Sequence, residues 1–163
     1  MKITDLFEIV LPGEEVGLDR RVDQSRKNGI AFAIYASNFI PFQLKVTVSG
    51  NRQLAVAEFE KNMSAEEARL EIKKNGRYDE ALIEDFLVVI EDQRLDDKQH
   101  PAIVCSGATF NSMSQDHDKD IPYMCVEEQK QENDAKKRVR SVGLAPGDAS
   151  FKAGVKFLLV KKQ

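Results

Sequence analysis

Apolar and polar positions alternate in short blocks along this chain, and most of those blocks have the length of a strand. ITDLFEIVL (3–11) is apolar enough for a first strand and is closed by Pro12-Gly13, a strong turn signal. Residues 14–29 are charged and lack clear periodicity, which reads as a long connection. It ends at Asn28-Gly29, a pair suited to a turn that needs positive φ. IAFAIYA (30–36) follows as a largely apolar strand. The cleanest period of two is FQLKVTVS (42–49), with Phe42, Leu44, Val46 and Val48 on one face and Gln43, Lys45, Thr47 and Ser49 on the other. Such alternation with a β-branched bias marks a half-buried strand. Gly50-Asn51 then predicts a tight turn, with QLAVAEFE (53–60) as the hairpin partner.

The period changes at Ser64. Glu67 stands three residues on, the spacing of a capping box, and AEEARLEIKK is made of strong helix formers. Glu66 and Glu67 lie at the positive end, Lys73 and Lys74 at the negative end, and Gly76 can close the helix. Ala65, Ala68 and Ile72 form a thin apolar stripe, so this helix should lie on the surface of a sheet. Leu82, Ile83, Phe86 and Leu87 fit helical spacing, yet FLVVIE (86–91) also fits a buried strand; the expectation is a short helical turn passing into a strand. PAIVCS (101–106) and IPYMCVEE (121–128) read as strands around a Gly/Ser/Asn/Asp-rich stretch at 107–120. EEQKQENDAKKR (127–138) reads as a polar helix or a solvated loop. RVRSVGL (138–144) alternates, and Pro146-Gly147 turns the chain into FKAGVKFLLV (151–160), a last strand whose charged outer face would suit pairing with a neighbouring chain.

Many short strands against one firm helix predict a mainly β fold. An antiparallel sandwich or a barrel-like sheet with one short surface helix is the expectation, with α+β as the alternative. At 163 residues and 42% apolar side chains, the chain can form one domain, 1–163, with a polar excursion at 107–137.

Charge changes the picture. The formal net charge of −3 is too near balance for a general nucleic-acid binder, so nucleic acid is an unfavoured partner. That sum hides an asymmetry: residues 91–134 carry 4 basic and 11 acidic groups, residues 135–163 carry 8 and 1. The two regions, −7 and +7, either fold back on each other or meet complementary partners. The basic cluster KKRVR (Lys136, Lys137, Arg138 and Arg140) reads as a solvated strand edge, as a patch for a protein partner or, least favoured, as an RNA or DNA contact. No apolar run approaches the ~18 residues of a membrane span, and MKITDLFEIVLPGEE lacks the apolar core and cleavage site of a signal peptide. A cytoplasmic protein, or one in an assembled particle without a membrane, is expected.

Candidate chemistry is sparse. In SQDHDKD (114–120), Asp116, Asp118 and Asp120 alternate, and closely spaced carboxylates are hard ligands suited to Ca²⁺ or Mg²⁺. The string lacks the turn glycine of an EF-hand and equally describes a solvated acidic loop. Otherwise no cofactor is expected. Cys105, Cys125, His100 and His117 show no close pairing of the kind zinc sites use, and both thiols sit in apolar strands, as core filling does. Cys105 with a histidine holds the raw materials of a thiol nucleophile at arbitrary spacing. The chain contains neither GxxxxGK[ST] nor GxGxxG. In IYASNFIPF (34–42), Tyr35, Phe39, Ile40 and Phe42 cluster at a strand connection, where apolar aromatics serve a protein interface or cover the end of a core.

These features favour a non-catalytic structural or assembly protein that works through contacts with protein subunits, including copies of itself; a virion component is one such particle. A small β-rich module binding a ligand or a regulated partner is the alternative. A divalent-metal enzyme centred on Asp116, Asp118 and Asp120 is the third reading.

Overall fold

The computed structural model describes residues 1–13, 18–32, 49–111 and 119–163. Two strands form its axis. In β3 (Ser49–Glu58) the run Leu54-Ala55-Val56-Ala57 is buried without a break, and in β11 (Lys156–Lys161) so is Phe157-Leu158-Leu159-Val160. Successive strand residues point to opposite faces. A continuous buried run therefore requires cover on both sides.

The chain supplies that cover as two separate cores. Leu54, Val56, Leu158 and Val160 pack with Val22 of α1 (Leu18–Lys27) and with Ile83, Phe86, Leu87 and Ile90 of α3 (Ile83–Glu91). Ala55, Ala57, Phe157 and Leu159 pack with Ala65, Ala68 and Ile72 of α2 (Ala65–Asn75). The result is three layers: α1 and α3 on one face of the sheet and α2 on the other.

Around the axis stands a nine-stranded sheet in the order β1-β3-β11-β6-β8-β9-β2, where β1 is Lys2–Pro12, β2 Ala31–Phe32, β6 Ala102–Val104, β8 Lys119–Lys130 and β9 Lys136–Pro146. β5 (Tyr78–Glu80) pairs with β11, and β7 (Phe110–Asn111) pairs with β8. A separate ribbon joins β4 (Met63–Ser64) to β10 (Ser150–Phe151). β11–β6 and β9–β2 are parallel and the other pairs antiparallel.

The fold is mainly β, as the patterning predicts, but the expected antiparallel sandwich or barrel is replaced by a mixed, open sheet, and the one short helix by three. α1 lies inside the expected connection 14–29: among its described side chains the buried ones are Val22 and Ser25, too few for a clear periodic signal. Asn28-Gly29 forms the expected turn, with Gly29 at a φ of 90°, and that turn closes α1. α3 runs through FLVVIE because nearly its whole surface is buried, and tertiary packing overrides β-branched propensity. Gly50 and Asn51 continue β3, opposite Leu11 and Val10, in place of the expected turn. The polar stretch 127–138 is a strand hairpin rather than the expected polar helix or solvated loop. The last strand is central and fully paired, which removes it from pairing with another chain. The 42–48 part of the alternating strand lies outside the described residues, as does 33–36.

α2 matches its prediction in detail. Ser64 Oγ accepts from Glu67 N–H at 3.2 Å, Glu67 Oε2 accepts from Ser64 N–H at 2.8 Å, and Gly76 closes the helix. These bonds to the ionised carboxylate hold Glu67 below the usual glutamate range.

Two arginines tie the α3 layer to the sheet. Arg52 of β3 grips Asp85 as a fork, Nε to Oδ1 at 2.5 Å and the terminal nitrogen to Oδ2 at 2.7 Å. Asp85 is 0% exposed and Arg52 21%. Asp85 Oδ2 also accepts from Leu82 N–H at 2.9 Å, so one carboxylate both caps α3 and anchors it to β3. At the far end, Arg140 of β9 donates to the carbonyls of Ile90 (2.7 Å), Asp92 (2.8 Å) and Leu95 (2.7 Å) and pairs with Asp97 at 2.7 Å. It supplies positive charge where α3 has no basic residue of its own. Removing one member of a buried ion pair strands the other charge. Arg52→Ala should therefore cost about 3–5 kcal/mol in urea unfolding, and adding Asp85→Ala should cost less than the sum of the two single changes.

Candidate docking face

α2 covers the β3–β11 side of its face of the sheet, and among the described residues no helix covers the β6–β8–β9 side. There Val104, Tyr123, Cys125 and Ala145 form a floor, and Ala149, Phe151 and Val155 form a wall, around a concavity of about 400 Å³. The alternation of β8 sends Ile121, Tyr123 and Cys125 to this face, while Met124 enters the α3 core. The wall is fixed from behind, with Phe151 and Phe59 both edge-on to Phe157 at ring separations of 5.7 and 5.6 Å.

Gly143 shapes the floor. It sits directly opposite Tyr123, and a Cβ there would stand 2.8 Å from the Tyr123 ring and hydroxyl. The missing side chain lets the phenol lie across β9. Burial is the main reason the Tyr123 phenol ionises above its usual range, followed by the neighbouring Cys125 and Glu127.

Cys125 contributes a thiol, which donates to Glu127 Oε1 at 3.6 Å. Burial and Glu127 push its pKa up to about 11. The thiol is therefore protonated at neutral pH and acts as a small apolar group with a weak donor. Cys105, in the core on the opposite face, donates to the carbonyls of Ala81 (3.3 Å) and Leu82 (3.6 Å), and burial raises its pKa much further. Neither thiol is in a disulfide. The groove thus offers apolar surface, the hydroxyls of Tyr123 and Ser150 and one thiol, which suits binding of a largely apolar group.

Of the residues singled out by the sequence, the described ones do not gather in one place. Tyr35, Phe39, Ile40 and Phe42 lie outside the described residues, as do Asp116, Asp118 and His117. Asp120 opens β8 opposite Pro146, near Phe110 of β7. Among the described residues no three His, Cys, Asp or Glu side chains could hold a metal ion together. Lys136, Lys137 and Arg138 are exposed along β9, whereas Arg140 is turned inward against α3. His100 is buried at the approach to β6, its Nδ1 without a hydrogen-bond partner among the described residues. The groove itself was missed because its lining comes from four separate stretches, with Tyr123-x-Cys125 opposite Gly143 as its only local signal.

Comparison with family models, with curated protein sequences and with solved structures gives no match. The chemistry of the face therefore stands on its own geometry.

Two measurements test this description. At pH 8 the native protein should show one slow thiol, Cys125, reacting about a hundredfold below a free cysteine because so little is thiolate. Cys105 should react only after unfolding, and a Cys125→Ser variant should lose the slow phase. His100 gives a pH signature. Burial first, then Lys156, lower its pKa from 6.5, with Asp96 acting in the opposite direction. The unfolded chain therefore binds the proton first, and this site's stability is intact above about pH 6.5 and lost as pH falls towards the folded value. Thermal melts between pH 7 and 5 should show that decline, flattened in His100→Phe.

Proposed function

We propose that this chain is a non-catalytic protein-interaction module that works in an assembly with other subunits, copies of itself included. One observation carries the reading: the apolar concavity on the half of the sheet face that α2 leaves open. Apolar surface that the chain's own helix does not cover is stabilised when a partner removes it from water, by about 25 cal/mol per Å². Among the described residues that line the concavity, none carries a charged side chain. Apolar contact is thus what the face has to offer.

The volume also supports a second reading, a regulatory module that binds a small apolar ligand. Ligand sites commonly enclose about 300–1,000 Å³, and the concavity's ~400 Å³ lies in that range.

Static light scattering at micromolar concentration separates the two. The assembly reading expects a mass above that of one chain, reduced to a single chain by Ala149→Glu, which charges the groove wall and leaves the core clusters untouched. A wild-type single chain, or an oligomer indifferent to Ala149→Glu, would count against self-assembly through this face. A single chain whose melting temperature rises with a small apolar ligand, and does not rise in Ala149→Glu, would establish the second reading.

A further inference from the structure

The β8–β9 hairpin outruns its neighbours. β6 pairs with β8 only at Tyr123–Cys125, and β2 pairs with β9 only at Ser141–Val142. Beyond those positions, Glu127–Lys130 and Lys136–Val139 have only each other as strand partners among the described residues. Every side chain from Glu127 to Arg138 is exposed.

The turn shows which backbone groups face outward. Gln131 N–H donates to the Ala135 carbonyl at 2.8 Å, which makes 131/135 a hydrogen-bonded pair. Hydrogen-bonded and non-hydrogen-bonded pairs alternate along an antiparallel ladder. The pairs 129/137 and 127/139 are then bonded, and Lys136 and Arg138 direct their N–H and C=O groups away from β8. The same alternation turns Val126 outward on β8, and Val126 N–H indeed donates to the Pro101 carbonyl at 2.9 Å.

This edge is selective by charge. Lys137 and Arg138 make no ion pair among the described residues, and Lys136 has only an exposed contact with Glu128 at 3.3 Å. Edge lysines ordinarily keep a strand from pairing with others. Here they exclude a second copy in antiparallel pairing through the same edge, because basic residues would stand opposite basic residues. They do not exclude an acidic strand.

We propose that the β9 edge from Lys136 to Val139 takes an extended acidic segment of a partner protein as an added strand. The outward amides and carbonyls of Lys136 and Arg138 supply the main-chain bonds, while Lys136, Lys137 and Arg138 supply the preference for acidic side chains. The surface is distinct from the apolar groove, so each proposal stands or falls without the other.

The test is a titration of the isotope-labelled protein, followed through its amide resonances, with an eight-residue peptide of alternating Glu and Thr and with its Lys/Thr counterpart. The acidic peptide should shift the amides of Lys136 and Arg138, and the basic one should not. Arg138→Ala should weaken binding roughly two- to fivefold, the range of one exposed ion pair. Arg138→Pro removes an N–H that points away from β8, so the hairpin ladder is kept and binding is lost. Lys137→Glu with Arg138→Glu should reverse the preference between peptides. Equal binding of both peptides, binding of neither, or retention of the acidic peptide by the charge-reversed variant would overturn the proposal. So would Arg138→Pro binding as well as Arg138→Ala.

Discussion

Everything else in this fold answers to one constraint: the adjacent strands β3 and β11 are apolar on both faces. Their register sorts side chains by size. On the α2 face Ala57 meets Phe157 and Ala55 meets Leu159; on the α3 face Val56 meets Leu158 and Leu54 meets Val160. Small residues paired with large ones keep the first face shallow enough for Ala65 and Ala68 of α2 to approach closely. The second face, built of branched side chains, requires a helix as apolar as α3. Two of the three covering helices, α2 and α3, lie between β3 and β11 in sequence, while α1 precedes β3. β11, though last in the chain, is the strand on which β3, β5 and β6 all pair. The centre of the sheet is therefore made of contacts distant in sequence, the kind that slows folding.

Charge follows the same inward logic. The −7 and +7 regions seen in the sequence meet within the chain: β8 lies antiparallel to β9, Lys136 pairs with Glu128, and Arg140 pairs with Asp97. Arg140 joins a local motif to a long-range one, since a residue from a basic strand completes the end of a helix that itself ends in Glu91. Glu91, poorly placed at the negative end of α3, is held by Ser25 and by Asn28 Nδ2. The asymmetry thus speaks first to how the chain folds, and to partners only where a cation remains unpaired.

What could be read in advance was whatever a single segment decides. Ser64, Glu67 and Gly76 specify α2 because a capping box and a helix end are local chemistry. Gly29 announced its positive φ for the same reason, although whether it ends a helix or turns a hairpin depends on Val22 and Ser25 finding α3. α3 itself, with Val88, Val89 and Ile90 in succession, is helical because of its surroundings. The hairpin tip escaped notice because it contains no glycine: Asp134 takes the positive φ, at 60°. For the site, the basic run was legible as a run, but its division into outward Lys137 and Arg138 and inward Arg140 is set by β9 packing on α3. The groove was illegible, being an assembly of β6, β8, β9 and the wall beyond them.

The open half of the sheet also explains how its two surfaces would differ in use. The groove, as proposed, would act by burying apolar area, and its geometry is held by the Tyr123–Gly143 fit and the edge-on phenylalanines of the wall. The hairpin arm has no core of its own. From Glu127 to Arg138 it carries four acidic and four basic side chains, so its net charge is zero. A neutral element gains little from long-range steering, which decays over about 8 Å at 0.15 M salt. The proposed selectivity would therefore act at contact distance, through the three of its four basic groups that stand on the β9 edge while the acidic ones stand on β8 and the turn. Charge arranged in this way affects partner choice and register more than raw affinity, which the main-chain ladder and neighbouring apolar contacts must supply.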